Sequence, residues 1–360
     1  MNEEPQKITE IKVDWLADVH THLREVDGSM PYLIARAIEG GADVLGAMPN
    51  TNEGLTTAAQ VIGYQQMAQS IVRHLPLSHG PAHILPFVMI TEQTTRGQID
   101  DCLAAGIVDG KIYPLNRTTK SHNGVTRYGS LLPIIKYCGE VGMKCHFHPE
   151  HPWLEFENRD AEWAFLPLVK MFLEETDTQI VWEHGTDARC IAFWEEMART
   201  RRFTLTLTAH HLADNESRTF GDVAAVCKPP IKTERDHQDL VRLVGQDYPW
   251  VMAGGDVAFH DLTAKHVTED KPCACGAYTG PFLHQLYAHA LDGLLTKPGG
   301  VQTYVNFTSR NARKFHGLPE SIGTITLRRE AWRIPLTYKI GTQVALPFWR
   351  GREIKWSLVR

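Results

Sequence analysis

Two histidines sit two residues apart, His20 and His22, at the end of an apolar run from Val13 to Val19 that reads as a buried strand. Residues i and i+2 of a strand point to the same face, so both imidazoles would project together from its C-terminal end. Paired imidazoles suit zinc and its first-row neighbours. Arg24, two residues further on, would set a fixed cation beside that metal. The pattern His-x-His is common in a chain with 18 histidines, so its weight depends on which other residues share its position along the fold.

The elements needed to place those residues follow from alternating apolar runs and amphipathic segments. Strands are expected at Val13–Val19, Ala42–Met48, His83–Ile90, Ile107–Tyr113, Met143–His148, Gln179–Glu183, Phe203–Thr208 and Trp250–Ala253. Helices are expected near 31–39, 57–72, 95–105, 131–141, 161–174, 188–200 and 235–244, with further helices near 281–295 and 301–315 and a tail of short strands. Eight strands alternating with helices is the count of a (β/α)8 TIM barrel, here one domain over 1–360 with a barrel core near 13–300 and an extension near 301–360. His20, His22, Asn50, Lys111, His148, His184, His211 and Asp256 all fall at or just past C-terminal strand ends. That rim is where barrel enzymes carry their chemistry.

Composition narrows the class. A net charge of −5, a pI near 6.4 and the absence of a basic stripe argue against a nucleic-acid binder. The lead Met1–Lys7 is polar and no apolar run approaches membrane-spanning length. Seven cysteines without framework spacing suit a reducing, cytoplasmic setting. Cys273-Ala274-Cys275 lacks a second thiol pair and reads as a structural loop.

A binuclear metal site needs ligands for two cations and an anion between them. The rim offers four histidines and Asp256, from strands one, five, six and eight. Lys111 is out of place there, because an ammonium repels metal. Its neutral amine, however, reacts with CO2 to give an anionic carbamate that can bridge two cations. A snorkelling or acid-paired lysine is the alternative. Strand five offers His146 as well as His148 on one face, and spacing alone leaves the choice open.

Taken together, Asp18-Val-His-Thr-His-Leu-Arg24, Met48-Pro-Asn50, Lys111-Ile-Tyr-Pro114, His148-Pro-Glu150, Glu183-His184 and Gly255-Asp256 with His260 resemble class II dihydroorotases of the amidohydrolase superfamily. Thr118-Thr119 with Gly124-Val125-Thr126, Leu346-Pro-Phe348 and Trp356-Ser357 extend the likeness from about residue 14 to the C-terminus. The resemblance implies two Zn2+ per chain, one held by His20, His22 and Asp256 and one by His148 and His184, bridged by carboxylated Lys111. It implies a hydroxide between the metals as nucleophile and Asp256 as the catalytic proton carrier. Arg24, Asn50 and His260 would hold the substrate carboxylate, Thr118 and Thr119 would belong to a closing loop, and His22 and His148 would face the substrate. Backbone contacts to its ring would come from Lys228 and Gly276. The expected reaction interconverts L-dihydroorotate and N-carbamoyl-L-aspartate in pyrimidine synthesis, and the expected assembly is a homodimer.

The chain departs from that pattern at Thr21, at Val257-Ala258-Phe259 before His260, and at Cys227-Lys228-Pro229-Pro230-Ile231-Lys232, which is nearer the class I form. One rival is a hydantoinase- or allantoinase-like cyclic amidohydrolase. Arg24 with Asn50 argues against it, because a neutral hydantoin gives a carboxylate clamp nothing to hold. The other is an inactive dihydroorotase-like structural partner, whose signature would be lost ligands, and none of the six is missing.

Overall fold

The computed structural model describes residues 9–24, 28–76, 82–269 and 271–359, and the lead Met1–Lys7 lies outside them. Among these residues eight parallel staves form the wall of a barrel: β1 (Leu16–His22), β2 (Ala42–Ala47), β3 (His83–Pro86 and Val88–Met89), β4 (Asp109–Ile112), β5 (Lys144–Phe147), β6 (Ile180–Trp182), β7 (Phe203–Leu207) and β8 (Val251–Ala253). Neighbours pair in parallel from β1 through β8. The third stave changes partner at Phe87: its first half pairs with β2 and its second with β4. After β8 the chain turns through Gly254–Asp256 into Val257–Ala258, which pairs with Thr21 and His22 of β1 and closes the rim. This is the TIM-barrel architecture expected from the alternation of runs.

Both faces of the staves are buried, as parallel strands between a lumen and a helical layer require. A small lumen cluster holds Ala17, Val19, Val44, Leu85, Phe87, Val181 and Met252. The larger core lies between staves and helices and includes Ile34, Ile99, Ile135, Phe172, Trp194 and Leu240. Helix starts are set by local side-chain chemistry. Thr57 with Gln60, Thr95 with Gln98 and Thr233 with Asp236 form capping boxes that satisfy the free N–H groups of the helices Ala58–His74, Arg96–Ala104 and Glu234–Val244.

Three differences from the sequence reading stand out. The run Val13–Val19 is two strands, Glu10–Asp14 and β1; the first leaves the barrel and pairs antiparallel with Thr324–Arg328 of the tail. The helix expected from Ala161 begins at Leu166, after a 3-10 turn at Trp163–Phe165, with a proline in its first turn. The segment 301–315 is helical throughout but contains a π-helical stretch, Asn306–Arg310, which periodicity alone does not reveal.

One irregularity bears directly on the rim. The β1–β2 ladder slips between Asp18 and Thr21. There Gly46 lies so close to β1 that a Cβ would sit 2.1 Å from the Val19 carbonyl oxygen. Val19 belongs to the lumen cluster, yet its neighbour His20 also reaches residues of the barrel mouth, Glu183 and Asp256. Two consecutive residues on one side is what a bulge produces.

Candidate metal centre and substrate pocket

His20 and His22 come from the end of β1, Lys111 from within β4, His148 just after β5, His184 two residues after β6, and Asp256 from the turn after β8. All six are buried. His20 Nε2 and His22 Nε2 lie 3.3 and 3.0 Å from Asp256 Oδ1, and the ligand atoms of these three residues lie within 4.8 Å of one another. The His184 ring stands 5.2 Å from that of His20 and 4.6 Å from that of His148. The Nδ1 atoms of His22 and His184 are buried without a hydrogen-bond partner. His184 and Asp256 both hold left-handed backbone, with φ of 41° and 43°, an uncommon state for such residues that recurs at functional sites.

Lys111 is fully buried, with Nζ lacking a hydrogen-bond partner, and lies within electrostatic reach of His148, His184 and Asp256. Its nearest ion-pair partner, Glu183 Oε1, is 3.8 Å away. Burial pulls the amine down to about 8, against the raising influence of Glu183 and Asp256, and so makes the neutral form far more accessible than in an exposed lysine. Burial also lowers His22, to about 4, and lowers His148 and His184, keeping these imidazoles in the neutral form that binds metal. For Asp256 burial works the other way, but His20, His22 and His184 outweigh it and hold the carboxyl well below its ordinary range. Neutral imidazoles, an ionised carboxylate and an unpartnered amine suit divalent cations.

Glu183, quoted in the Glu183-His184 motif without a role, is the hub beneath this set. It accepts hydrogen bonds from Thr206 Oγ1 at 2.6 Å, from His20 Nδ1 at 3.0 Å and from His146 Nδ1 at 2.7 Å. Fixing His20 through Nδ1 leaves Nε2 to face Asp256, the orienting arrangement common behind metal-binding histidines. Asp18 does similar work on the backbone, accepting from His20 N at 3.2 Å and Gly255 N at 2.7 Å, and so ties β1 to the turn after β8.

The two strand-five histidines have different surroundings. His146 uses both ring nitrogens, on Glu183 and on Asp109 Oδ1 at 3.0 Å, and stacks on His316. His148 gives Nε2 to Glu150 at 2.7 Å, which leaves Nδ1 as its donor atom. His211, also on the rim, is committed to Thr208 Oγ1 and the Pro229 carbonyl.

Beside these candidate ligands a second group assembles. Arg24 and Asn50 line one narrow space with His22, Met48, Thr51 and Tyr64. The guanidinium lies near enough to His22 and His260 to add to the burial that lowers both. Asn50 Nδ2 donates to the Thr119 carbonyl at 3.0 Å, and Thr119 Oγ1 donates to the Cys275 carbonyl at 3.0 Å. That carbonyl also accepts from His260 Nε2 at 2.8 Å. Thr118 is held by Ser121 through N–H and carbonyl. At Gly276 a Cβ would come within 2.6 Å of the Ala258 Cβ and 3.0 Å of the His260 ring, so only glycine lets these segments close. Lys228 turns its ammonium away to Asn158. Cys273 and Cys275 are half-buried, the other five cysteines are buried, and all seven are free.

No protein-family model matches the chain. It is 28% identical over 351 residues to a dihydroorotase of Vibrio vulnificus, covering 95% of this chain and 97% of that protein. The dihydroorotase of Saccharomyces cerevisiae, solved with 5-fluoroorotic acid, superposes with a TM-score of 0.87 at 25% identity over 98% of this chain and 99% of that one. The L-hydantoinase of Arthrobacter aurescens superposes at 0.79 with 11% identity, over 97% of this chain and 83% of that one, and so shares the fold. Among the described residues no helix is long and apolar enough to cross a membrane.

Proposed function

We propose that this chain is a dihydroorotase, a cyclic-amide hydrolase of the amidohydrolase superfamily that interconverts L-dihydroorotate and N-carbamoyl-L-aspartate. The observation that carries the reading is the buried Lys111 amine, without a hydrogen-bond partner and within electrostatic reach of His148, His184 and Asp256 beside the His20–His22–Asp256 group, in a chain similar to dihydroorotases along its length. We assign His20, His22 and Asp256 to one divalent cation, His148 and His184 to a second, and carboxylated Lys111 to the bridge; zinc is the cation this donor set favours. The assignment to class II rests on the motifs around His20, Lys111, His148 and Asp256.

Bound there, two cations would polarise the scissile carbonyl and supply a water of lowered pKa. The chain does the rest. Arg24 meets the substrate carboxylate with its planar fork, with Asn50 and His260 beside it. Asp256, held ionised by the imidazoles around it, takes the proton of the attacking water and returns it to the ring nitrogen as the C–N bond breaks. The Thr118–Thr119 loop, tied to Asn50 and Cys275, excludes bulk water, and the main chain at Lys228 and Gly276 faces the ring. We expect a homodimer acting in a reducing cytoplasm, for which seven unpaired cysteines are suited.

Hydantoinases share the fold, so substrate is the discriminating test. Zinc-loaded protein is expected to consume dihydroorotate absorbance, to leave hydantoin and allantoin largely intact, and to hold close to two metals per chain. Turnover of hydantoin in preference to dihydroorotate would overturn the reading.

A further inference from the structure

Two loop segments, one at Val226 and one at 274–276, meet close to His260, and a single side chain joins them. Lys265, the last residue of the short helix Leu262–Lys265, is only 2% exposed. Its ammonium donates to the carbonyls of Val226 at 3.2 Å, Ala274 at 2.8 Å and Gly276 at 2.6 Å. The main chain reinforces this junction: Gly276 N–H donates to the Val226 carbonyl at 2.8 Å and Ala274 N–H to the Ala264 carbonyl at 2.9 Å. Burying an ammonium is costly unless its hydrogens are matched. Here three hydrogens meet three carbonyls drawn from two segments.

The peptide so pinned carries the Cys275 carbonyl, which accepts both Thr119 Oγ1 and His260 Nε2. Thr119 in turn accepts from Asn50. A continuous line of hydrogen bonds therefore runs from Lys265 through the 274–276 peptide to the closing loop and to two of the residues assigned to the substrate carboxylate. We propose that Lys265 is a positioning residue for this reaction: it fixes the Cys275 carbonyl as the docking point of the Thr118–Thr119 loop and of His260. Resting on the dihydroorotase reading, the proposal places Lys265 behind substrate binding rather than behind the chemical step, because it touches neither the metal ligands nor Asp256.

The test is a set of variants read three ways. Lys265→Met fills the same space without donors. It is expected to keep two metals per chain and to raise KM for dihydroorotate roughly 10- to 100-fold, with kcat within about threefold of the parent. An unchanged KM at full metal content overturns the proposal. Thr119→Val removes the loop's hydroxyl, and in the double variant the two effects should fail to add, since both break one line of contacts; additive losses overturn it. Amide exchange of the unliganded protein reads the link without turnover: Lys265→Met should speed exchange at 116–121 as well as at 273–277. Acceleration confined to 273–277 would show a local structural role only. If Lys265→Met does not accumulate folded, Lys265→Gln, whose amide can reach two of the three carbonyls, carries the same cycle with a smaller rise in KM. Failure of the parent protein to consume dihydroorotate would sink the functional reading, while the exchange comparison still decides whether Lys265 holds the loop.

Discussion

On the reading proposed above, Lys111, whose only charged neighbour within 4 Å among the described residues is Glu183 at 3.8 Å, gives up its charge. A fully buried ammonium without a hydrogen-bond partner is among the most costly arrangements a core can contain, and burial moves the amine toward the neutral form that combines with CO2. Lys111→Ala is therefore expected to lose metal and activity together, measured by elemental analysis and dihydroorotate turnover. Lys111→Glu, with the right charge on a shorter arm, should recover little of either. An alanine variant with normal metal content and turnover would make Lys111 an ordinary lysine. Lys111 was conspicuous in the sequence because an ammonium is out of place on a rim of candidate ligands. Glu183 was not, although it stands next to His184. Its role comes from His20, His146 and Thr206, which lie 163, 37 and 23 residues away in sequence, and a local motif carries no trace of such contacts.

The staves and helices were legible where apolar periodicity and caps agree, as in Ala58–His74 and Arg96–Ala104. The β1 bulge was not, because it depends on how closely Gly46 approaches Val19 from the next strand. The loop after β4 shows a similar dependence at its far end. Glu92 accepts from the main-chain N–H groups of Thr126 and Arg127, both at 2.9 Å, from Thr126 Oγ1 at 2.9 Å and from the Arg127 guanidinium at 3.0 Å. These bonds, led by the Arg127 and Thr126 amides, hold its carboxyl down at about 2. A depressed carboxyl contributes stability above its ordinary value of 4.5, and that contribution is lost as pH falls from about 4.5 to about 2. Glu92→Gln should lower stability in urea at neutral pH by about 1 kcal/mol, solvent and the exposed Arg127 limiting the effect. The deficit should shrink toward pH 3. A deficit that is constant across this range would mean that Glu92 acts by packing and not by charge.

At the scale of the molecule, the two chain ends are built into one layer against the barrel. Glu10–Asp14, Thr324–Arg328 and Ser357–Val359 form an antiparallel sheet. The tail also reaches the segments that follow His260 and Gly276, where Val344 N–H donates to Asp261 Oδ1 and Phe348 N–H to the Tyr278 carbonyl. The sequence marked Leu346-Pro-Phe348 and Trp356-Ser357 only by resemblance, since short strands pairing across 300 residues leave no periodic signal. What fastens the layer is Asp292, a mostly buried carboxylate that accepts from Trp356 Nε1 at 2.9 Å, Lys355 Nζ at 2.9 Å and Arg329 Nη2 at 2.8 Å. Asp292→Ala leaves a buried indole N–H without its partner and releases two partly exposed cations, so it should destabilise the chain by about 1–3 kcal/mol. If the tail and the barrel unfold as one unit, calorimetry will show a single transition lowered by a few degrees. The segment that carries His260 and Lys265 should loosen with it, raising KM before kcat falls. A second, earlier transition that leaves the barrel's own melting temperature and KM untouched would show instead that the extension is an appended layer on which the site does not depend.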